Sequence, residues 1–356
     1  MEQTYSAIGL MSGSSLDGID LAHVTFHENQ QSWNFKLGAT DCIPYDDKIL
    51  LQLKNAALLS GKNLWQLHSD LGHYFGKKIA TFISEKNIGK VDFVASHGHT
   101  VFHYPDLKFT TQIGDGAALA ASSKHKVICD FRTSDIAHDG QGAPIVPIGE
   151  KHLFPEFKLF VNIGGIANIS AHTENGVIAY DCCVANQVLN YFAQQKGMEY
   201  DESGKIAASG NLNQDLLQQL NSLPYHHQSP PKSLDNGYAR ETAIPLIQTF
   251  DLSTEDKLTT CNEFIATQIS LALNTATKIT SKVMITGGGA FNDDLIKRIR
   301  AKTSHPILIP DENIIKYKEA LIIAFMGVLR IQGRTNVLSD VTGATKNTIN
   351  GAIYES

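Results

Sequence analysis

The chain of 356 residues has little cysteine, and what it has is unpaired by pattern. Cys42, Cys129, Cys182, Cys183 and Cys261 are odd in number and form no CxxC pair, which argues against a disulfide framework and against a cysteine zinc site. Proline is scarce, 11 against 28 glycines, so the punctuation is glycine turns rather than stiff linkers. There is no basic excess: 30 Lys+Arg face 36 Asp+Glu, and a net charge of −6 gives no reason to expect a nucleic acid or an anionic membrane as partner. No apolar run approaches the roughly 20 residues that cross a bilayer. The longest, Ala320 to Leu329, reads as a buried helix, and the first residues lack the basic-then-apolar pattern of a leader. These absences predict a cytoplasmic protein.

What is present is a hydrophobic content of 42%, enough for a sizeable core, in a length that suits two domains or one large one. Short β-rich apolar runs alternate with helical stretches. Strands are predicted at 6–11, 21–26, 91–96, 127–129, 159–163, 167–171, 177–180, 283–286 and 306–309. Helices are predicted at 47–58, 64–86, 185–195, 212–221, 256–279, 293–302 and 317–331. Such alternation points to α/β layers with partly parallel sheets. An internal echo adds to this. Ala7–Ala22 and Leu159–Ser170 each read strand, glycine turn, strand, and later in each half an apolar strand meets small residues, at Phe93–His99 and at Val283–Ala290. The pattern predicts a duplicated domain with a cleft between the halves.

Several turns carry chemistry. Met11–Asp20 gathers glycines, hydroxyls and two carboxylates: its amides suit an anion, and Asp17 or Asp20 suits Mg²⁺ or a substrate hydroxyl, or the stretch is a serine-rich hairpin turn. It lacks the lysine of a P-loop. Asn162–Asn168 offers a second glycine turn. Val177–Asp181 reads as a strand ending on a carboxylate, either a general base or the cap of the helix that follows. His97, His99 and His103, in a turn with Gly98 and Thr100, line a substrate or simply pack, or, less in keeping with those neighbours, bind zinc. Asp115 either caps a helix or binds. Arg132 presents a planar fork for a carboxylate or phosphate, with Asp135 its partner or a sugar ligand. Residues 140–144 read as an inter-domain hinge or phosphate turn, and Thr286–Asn292 as room for a nucleoside.

In order along the chain, GLMSGSSLDGID (9–20), SHGHTVFH (96–103), TQIGDGAALA (111–120), DFRTSDIA with GQGAPIVP (130–147), NIGGIAN (162–168), SGKIAASG (203–210), PPKS (230–233), TGGGAFN (286–292), YKEAL (317–321) and VTGATKNTINGAIY (341–354) resemble the anhydro-N-acetylmuramic acid kinase family. The resemblance implies a duplicated actin-like ATPase (ribonuclease H-like) α/β fold, two lobes around a nucleotide cleft. Residues 1–130 would form the N-terminal lobe, rejoined by 340–356, and 131–339 the C-terminal lobe. It implies ATP and Mg²⁺, with 1,6-anhydro-N-acetylmuramic acid opened by water while its 6-oxygen takes the γ-phosphoryl group, in peptidoglycan recycling by a homodimer. Asp181 falls on the family's catalytic aspartate. Gly13, Ser14, Ser15, Leu16, Asp17, Gly18, Ile19 and Asp20 become the first phosphate turn, Gly164 and Gly165 belong to the second, and Thr286, Gly287, Gly288 and Gly289 form the nucleoside end. Asp17 or Asp20 would meet Mg²⁺ through ATP. His97, Arg132, Asp135 and Glu319 become substrate-lining candidates, with Arg132 set for the lactyl carboxylate.

One stretch departs from the family. Where its members carry Thr-Gly-Pro-Gly-Asn after the aspartate, this chain has Cys182-Cys183-Val184-Ala185-Asn186. That departure keeps two alternatives in view, a kinase of another amino sugar and a nucleotide-binding homologue without catalysis.

Overall fold

The computed structural model describes residues 3–13, 16–30, 32–174, 176–230, 232–235 and 237–356. Its first sheet starts as an antiparallel meander of β1 (Gln3–Ser12), β2 (Ile19–Asn29) and β3 (Ser32–Ile43). β4 (Phe93–Tyr104) then lies parallel to β1, β5 (Phe109–Ile113) folds back on β4, and β6 (Val127–Cys129) lies parallel to β4. The second sheet repeats the plan. β7 (Leu159–Ile163), β8 (Ile166–Thr173) and β9 (Gly176–Val184) form a meander, β10 (Val283–Thr286) lies parallel to β7, and β11 (Ile307–Leu308) parallel to β10. The spatial orders, β6-β4-β1-β2-β3 and β11-β10-β7-β8-β9, correspond strand for strand. The duplication expected from the echo is therefore a property of the sheets themselves. β12 (Ala352–Tyr354) extends the first sheet antiparallel to β6.

The chain divides into two compact units, Met1–Pro155 with Tyr317–Ser356, and Glu156–Lys316. Residues 131–155 and 317–339, expected with the second lobe, pack in the first unit. The turn at 140–144 is accordingly no inter-domain hinge, since it lies inside that unit.

In the first unit, the helix Gly61–Glu85 is started by Ser60, whose hydroxyl accepts from the Asn63 amide. It buries Leu64, Leu67, Leu71, Phe75, Ile79 and Phe82 at helical spacing against Ile8, Leu10 and Leu21 of the sheet. The helix Glu312–Ile331 covers the other face, where Phe325 meets the rings of Phe26 and Trp33. Gly9 and Gly327 let it approach closely: a Cβ on Gly9 would stand 1.8 Å from the Ala320 carbonyl oxygen. Lys318 on this helix forms a buried ion pair with Glu150, at 3.0 Å. In the second unit, Leu159, Val161 and Ile163 of β7 pack with Phe264, Ile265 and Ile269 of the helix Thr254–Ala276.

All nine predicted strands lie within or across observed ones. β3, β5 and β12 were not predicted, and two strands run further than expected. β4 continues through Ser96–His103, read from sequence as a turn, and β9 continues past Asp181 to Val184. The helix predicted at 47–58 breaks at Asn55 into Asp47–Lys54 and a short turn at Ala56–Leu58.

Candidate active site

The candidate side chains of the first unit lie toward the C-terminal ends of the parallel strands β1 and β4, where open α/β sheets place their ligands. β4 achieves this with a bulge. Leu10 pairs with Ser96 and Ser12 with His99, so β4 carries one extra residue there. Gly98 takes the strain at φ +72°, and a Cβ on it would lie 2.8 Å from the Ile113 carbonyl oxygen.

His97 is buried beside this bulge. Arg132 Nε donates to its Nε2 at 2.8 Å, so the ring proton sits on Nδ1 and is donated to the Gly98 carbonyl at 3.0 Å. Burial, joined by the charge of Arg132, drives the His97 pKa down to about 3. The ring is thus a neutral acceptor that orients the guanidinium. Arg132 Nη1 donates to the Gly142 carbonyl at 2.7 Å. Burial lowers the arginine to about 10, against the pull of Glu319, so it stays charged at neutral pH. Asp135 does not pair with Arg132 directly. Fully buried, it accepts from the Gly142 amide and from the Thr342 hydroxyl, each at 2.8 Å, and so pins the loop whose carbonyl receives Arg132.

His99 belongs to a different network: its Nδ1 meets the Ser12 hydroxyl at 2.9 Å, and that hydroxyl also meets Tyr45. His103 meets Thr110 at 3.1 Å. The three histidines are held in three separate sets of bonds, and among the described residues no three His, Cys, Asp or Glu side chains are grouped to hold a metal ion. The zinc reading has no support here. Asp115 is a helix cap, accepting from the Ala118 amide at 2.6 Å, with His68 3.3 Å away.

The first turn joins β1 to β2; Ser14 and Ser15 lie outside the described residues. The Leu16 amide donates to the Gly13 carbonyl at 3.4 Å, with Leu16 at φ +62°. Gly18 packs where a Cβ would come 2.5 Å from the Ile43 carbonyl oxygen, and Ile19 is buried. Asp17 is exposed and Asp20 half-buried. Burial raises the Asp20 carboxyl, a hydrogen bond from Cys42 lowers it, and the charges of Glu319 and Asp17 raise it further. The side chain of Glu319 reaches water, yet the density of protein around it raises its pKa, opposed by Lys318 and Arg132. Asp17, Asp20, Glu319 and Arg132 therefore interact electrostatically within one unit.

In the second unit the glycine turn Gly164–Gly165 follows β7, and its carbonyls are occupied by the start of the helix Asn186–Gln194. The Ala185 amide donates to Gly165 at 2.8 Å and the Asn186 amide to Gly164 at 3.1 Å. Asn186, which was not among the residues expected to act, also donates its side-chain amide to the Ile163 carbonyl at 3.1 Å. On the neighbouring strand, Thr286 ends β10 with its hydroxyl 3.4 Å from Asn162. Gly287, at φ +81°, and Gly289 pass so close to Ile163 that no side chain fits, while a Cβ on Gly288 would be 3.4 Å from the Asn186 side chain. The second glycine turn, Asn186 and the Gly287–Gly289 run are thereby brought together.

Asp181 is neither at a strand end nor a helix cap. It lies within β9 opposite Asn168, and because Ala167 pairs with Cys183, Cys182 is the extra residue of a bulge. One carboxylate oxygen, Oδ2, accepts from the Leu234 amide at 2.9 Å. Burial raises its pKa and that amide partly restores it. Cys182 and Cys183 are buried core residues, with burial lifting Cys182 to about 12 and Cys183 well above its ordinary value, so neither is a ready thiolate.

Residues 5–356 match the profile of the family described as anhydro-N-acetylmuramic acid kinase. The chain is 34% identical to the anhydro-N-acetylmuramic acid kinase of Mannheimia succiniciproducens, covering 99% of each protein. To that of Hydrogenovibrio crunogenus it is 31% identical, over 98% of this chain and 97% of the relative. Among solved structures it is similar to component A of the Acidaminococcus fermentans (R)-2-hydroxyglutaryl-CoA dehydratase, at 12% identity and a TM-score of 0.47, over 90% of this chain and 96% of that one.

Proposed function

We propose that this chain, which belongs to the anhydro-N-acetylmuramic acid kinase family, uses ATP and water to open 1,6-anhydro-N-acetylmuramic acid and phosphorylate its 6-oxygen, with Asp181 as the base. That it is an ATP-dependent kinase of this family follows from a match spanning residues 5–356. The observation that carries the base assignment is the setting of Asp181. One oxygen is fixed by the Leu234 amide, and burial raises the carboxyl toward a value useful for taking a proton.

In this reading Asp181 takes one proton from the attacking water as its oxygen bonds to C1. The C1–O6 bond breaks, O6 bonds to the γ-phosphorus, and ADP leaves. The products are N-acetylmuramic acid 6-phosphate and ADP, with the second water proton kept on the new anomeric hydroxyl. Glycosidic cleavage ordinarily takes two carboxylates, one of them to protonate the leaving oxygen. Here phosphorus captures that oxygen, so one base suffices.

Arg132, aimed by His97 and the Gly142 carbonyl, is assigned to the lactyl carboxylate of the sugar. Asp135, buried and with both oxygens engaged, acts by holding that loop. The first turn and the Gly164–Gly165 turn serve the phosphates, and Thr286–Gly289 the nucleoside. Asp17 and Asp20 are hard oxygen donors on the first turn, and the charges of Glu319 and Asp17 that raise Asp20 are relieved by a cation. One of the two aspartates would hold Mg²⁺ brought by ATP, whose chemistry is to neutralise phosphate charge. The family resemblance further supports a homodimer working in the cytoplasm on sugar released from peptidoglycan.

The test is mass spectrometry of the anhydro-sugar incubated with Mg-ATP and the protein, beside Asp181→Asn. A product heavier by water and one phosphoryl group, lost in the variant, is expected. The same yield from the variant would remove Asp181 from the reaction, and no product from the parent protein would turn the reading toward another amino sugar.

A further inference from the structure

β9 is the edge strand of the second sheet, so its outward amides and carbonyls need partners from elsewhere. At Asp181 they are supplied by one strap, whose described residues are 225–230 and 232–234. The Tyr225 hydroxyl donates to the Asp181 carbonyl at 2.7 Å, the Asp181 amide donates to the Lys232 carbonyl at 3.3 Å, and the Leu234 amide donates to Oδ2 at 2.9 Å. A single residue is thus tied by backbone and side chain to one strap. Lys232 in turn closes the strap on itself. Its ammonium donates to the Tyr225 carbonyl at 3.2 Å and stands 4.7 Å from the Tyr225 ring centre and 5.7 Å from that of Tyr180.

We propose that Tyr225 and Lys232 are positioning residues that hold Asp181 in its reactive orientation through this strap. The inference rests on the reading of Asp181 as the base. It gives the sequence departure a physical meaning. With Cys182-Cys183-Val184-Ala185 in place of a glycine-bearing run, β9 continues as strand beyond the aspartate, and the aspartate's aim is set from the strand's outer edge. Oδ2 is committed to the Leu234 amide, which leaves Oδ1 to receive the proton. The titratable groups around it are Tyr180, Cys182 and Cys183 on β9, with Tyr225, His226 and Lys232 on the strap side.

The experiment compares Tyr225→Phe, Lys232→Met and Lys232→Arg with the parent full-length protein, with Asp181→Asn run alongside. Steady-state rates are measured across pH, and melting and circular dichroism report folding. Tyr225→Phe is expected to lower kcat about tenfold or more with KM for ATP changed less than about twofold, because aim rather than nucleotide binding is lost. The acid limb of the rate profile should move to higher pH, since the Leu234 amide is the influence that holds the carboxyl down. Lys232→Met should follow the same direction and Lys232→Arg recover part of the loss. Lower melting with kcat per folded molecule and the acid limb unchanged would overturn the proposal, as would full activity in both Tyr225→Phe and Lys232→Met while Asp181→Asn is dead. Retained activity in Asp181→Asn would instead overturn the base assignment itself.

Discussion

At Asp181 reactivity and stability pull against each other. Burial raises its carboxyl in the folded protein, whereas in the unfolded chain it titrates as an ordinary aspartate. Folding therefore favours the protonated form: the stabilisation is present below the unfolded pKa and lost as pH rises through the raised folded one. Asp181→Asn, nearly isosteric and uncharged, is expected to melt above the parent protein at pH 7 and to lose that margin toward pH 4. Its rate should fall by about 10²–10⁴, the usual contribution of a general base. Thermal melts across pH check the first expectation, and a margin that grows on acidification would refute it. A second prediction concerns Asp135. Asp135→Ala leaves the Gly142 amide without its acceptor, at about 1–3 kcal/mol for that buried donor, and leaves the Thr342 hydroxyl only the longer bond to the Leu338 carbonyl. Because Gly142 receives Arg132, KM for the sugar should rise while KM for ATP stays put, as steady-state kinetics would show. The sequence left Asp115 open between cap and ligand, and its bond to the Ala118 amide makes it a cap, whereas Asp181, read as a strand end or a helix cap, is neither. The duty of Asp135 was not legible, since its partner Thr342 lies 207 residues along the chain. The Ser12–Tyr45–His99 network was hidden for the same reason: Tyr45 sits in no motif, and only the fold brings it to β1.

Among the elements, the packing of Glu312–Ile331 on β1 is set by what Gly9 lacks. A methyl group there would meet the Ala320 carbonyl oxygen at 1.8 Å, a backbone atom that cannot turn aside. Gly9→Ala is expected to cost at least about 3 kcal/mol, the upper part of the overpacking range. Gly61 offers the contrast, for it opens the helix Gly61–Glu85 and nothing lies within 4 Å of a Cβ built on it. Gly61→Ala should therefore stabilise by about 0.4–1 kcal/mol, by narrowing the unfolded ensemble. Urea midpoints of the two variants should move in opposite directions, and a neutral Gly9→Ala would mean that helix and strand are not packed as described. The same elements show why sequence patterns succeed or fail. The long helix was legible because Leu64, Leu67, Leu71, Phe75, Ile79 and Phe82 repeat on one face and are all buried. β3 was not, because it is an edge strand whose residues are mostly half-buried or exposed and so form no apolar run. The end of β4 was misread as a turn because Gly98 serves a bulge inside the strand.

For the whole molecule, the consequence of the duplication is that the two units have different debts to the rest of the chain. The second, Glu156–Lys316, is continuous. Its sheet is complete, β7 to β11, and a single buried cluster joins β7, β8 and β9 to the helices Asn186–Gln194 and Thr254–Ala276. The first is not continuous. One face of its sheet is covered by the Tyr317–Ile331 part of the helix Glu312–Ile331, with Phe325 against Phe26 and Trp33, and its β6 edge is paired by β12, both from beyond the second unit. Without them Gly9, Phe26 and Trp33 face water, and β6 presents an open edge. A fragment of residues 156–316 is therefore expected to fold and melt cooperatively on its own, whereas 1–155 should be soluble only when 317–356 is supplied with it. Expression of the three pieces, with circular dichroism and hydrogen exchange, decides this. Protected amides in Phe93–Ser96 of the isolated 1–155 fragment would show that the central strand needs no cover from Glu312–Ile331. An unfolded 156–316 fragment would show that the second core, despite its own complete sheet, is stable only within the full chain.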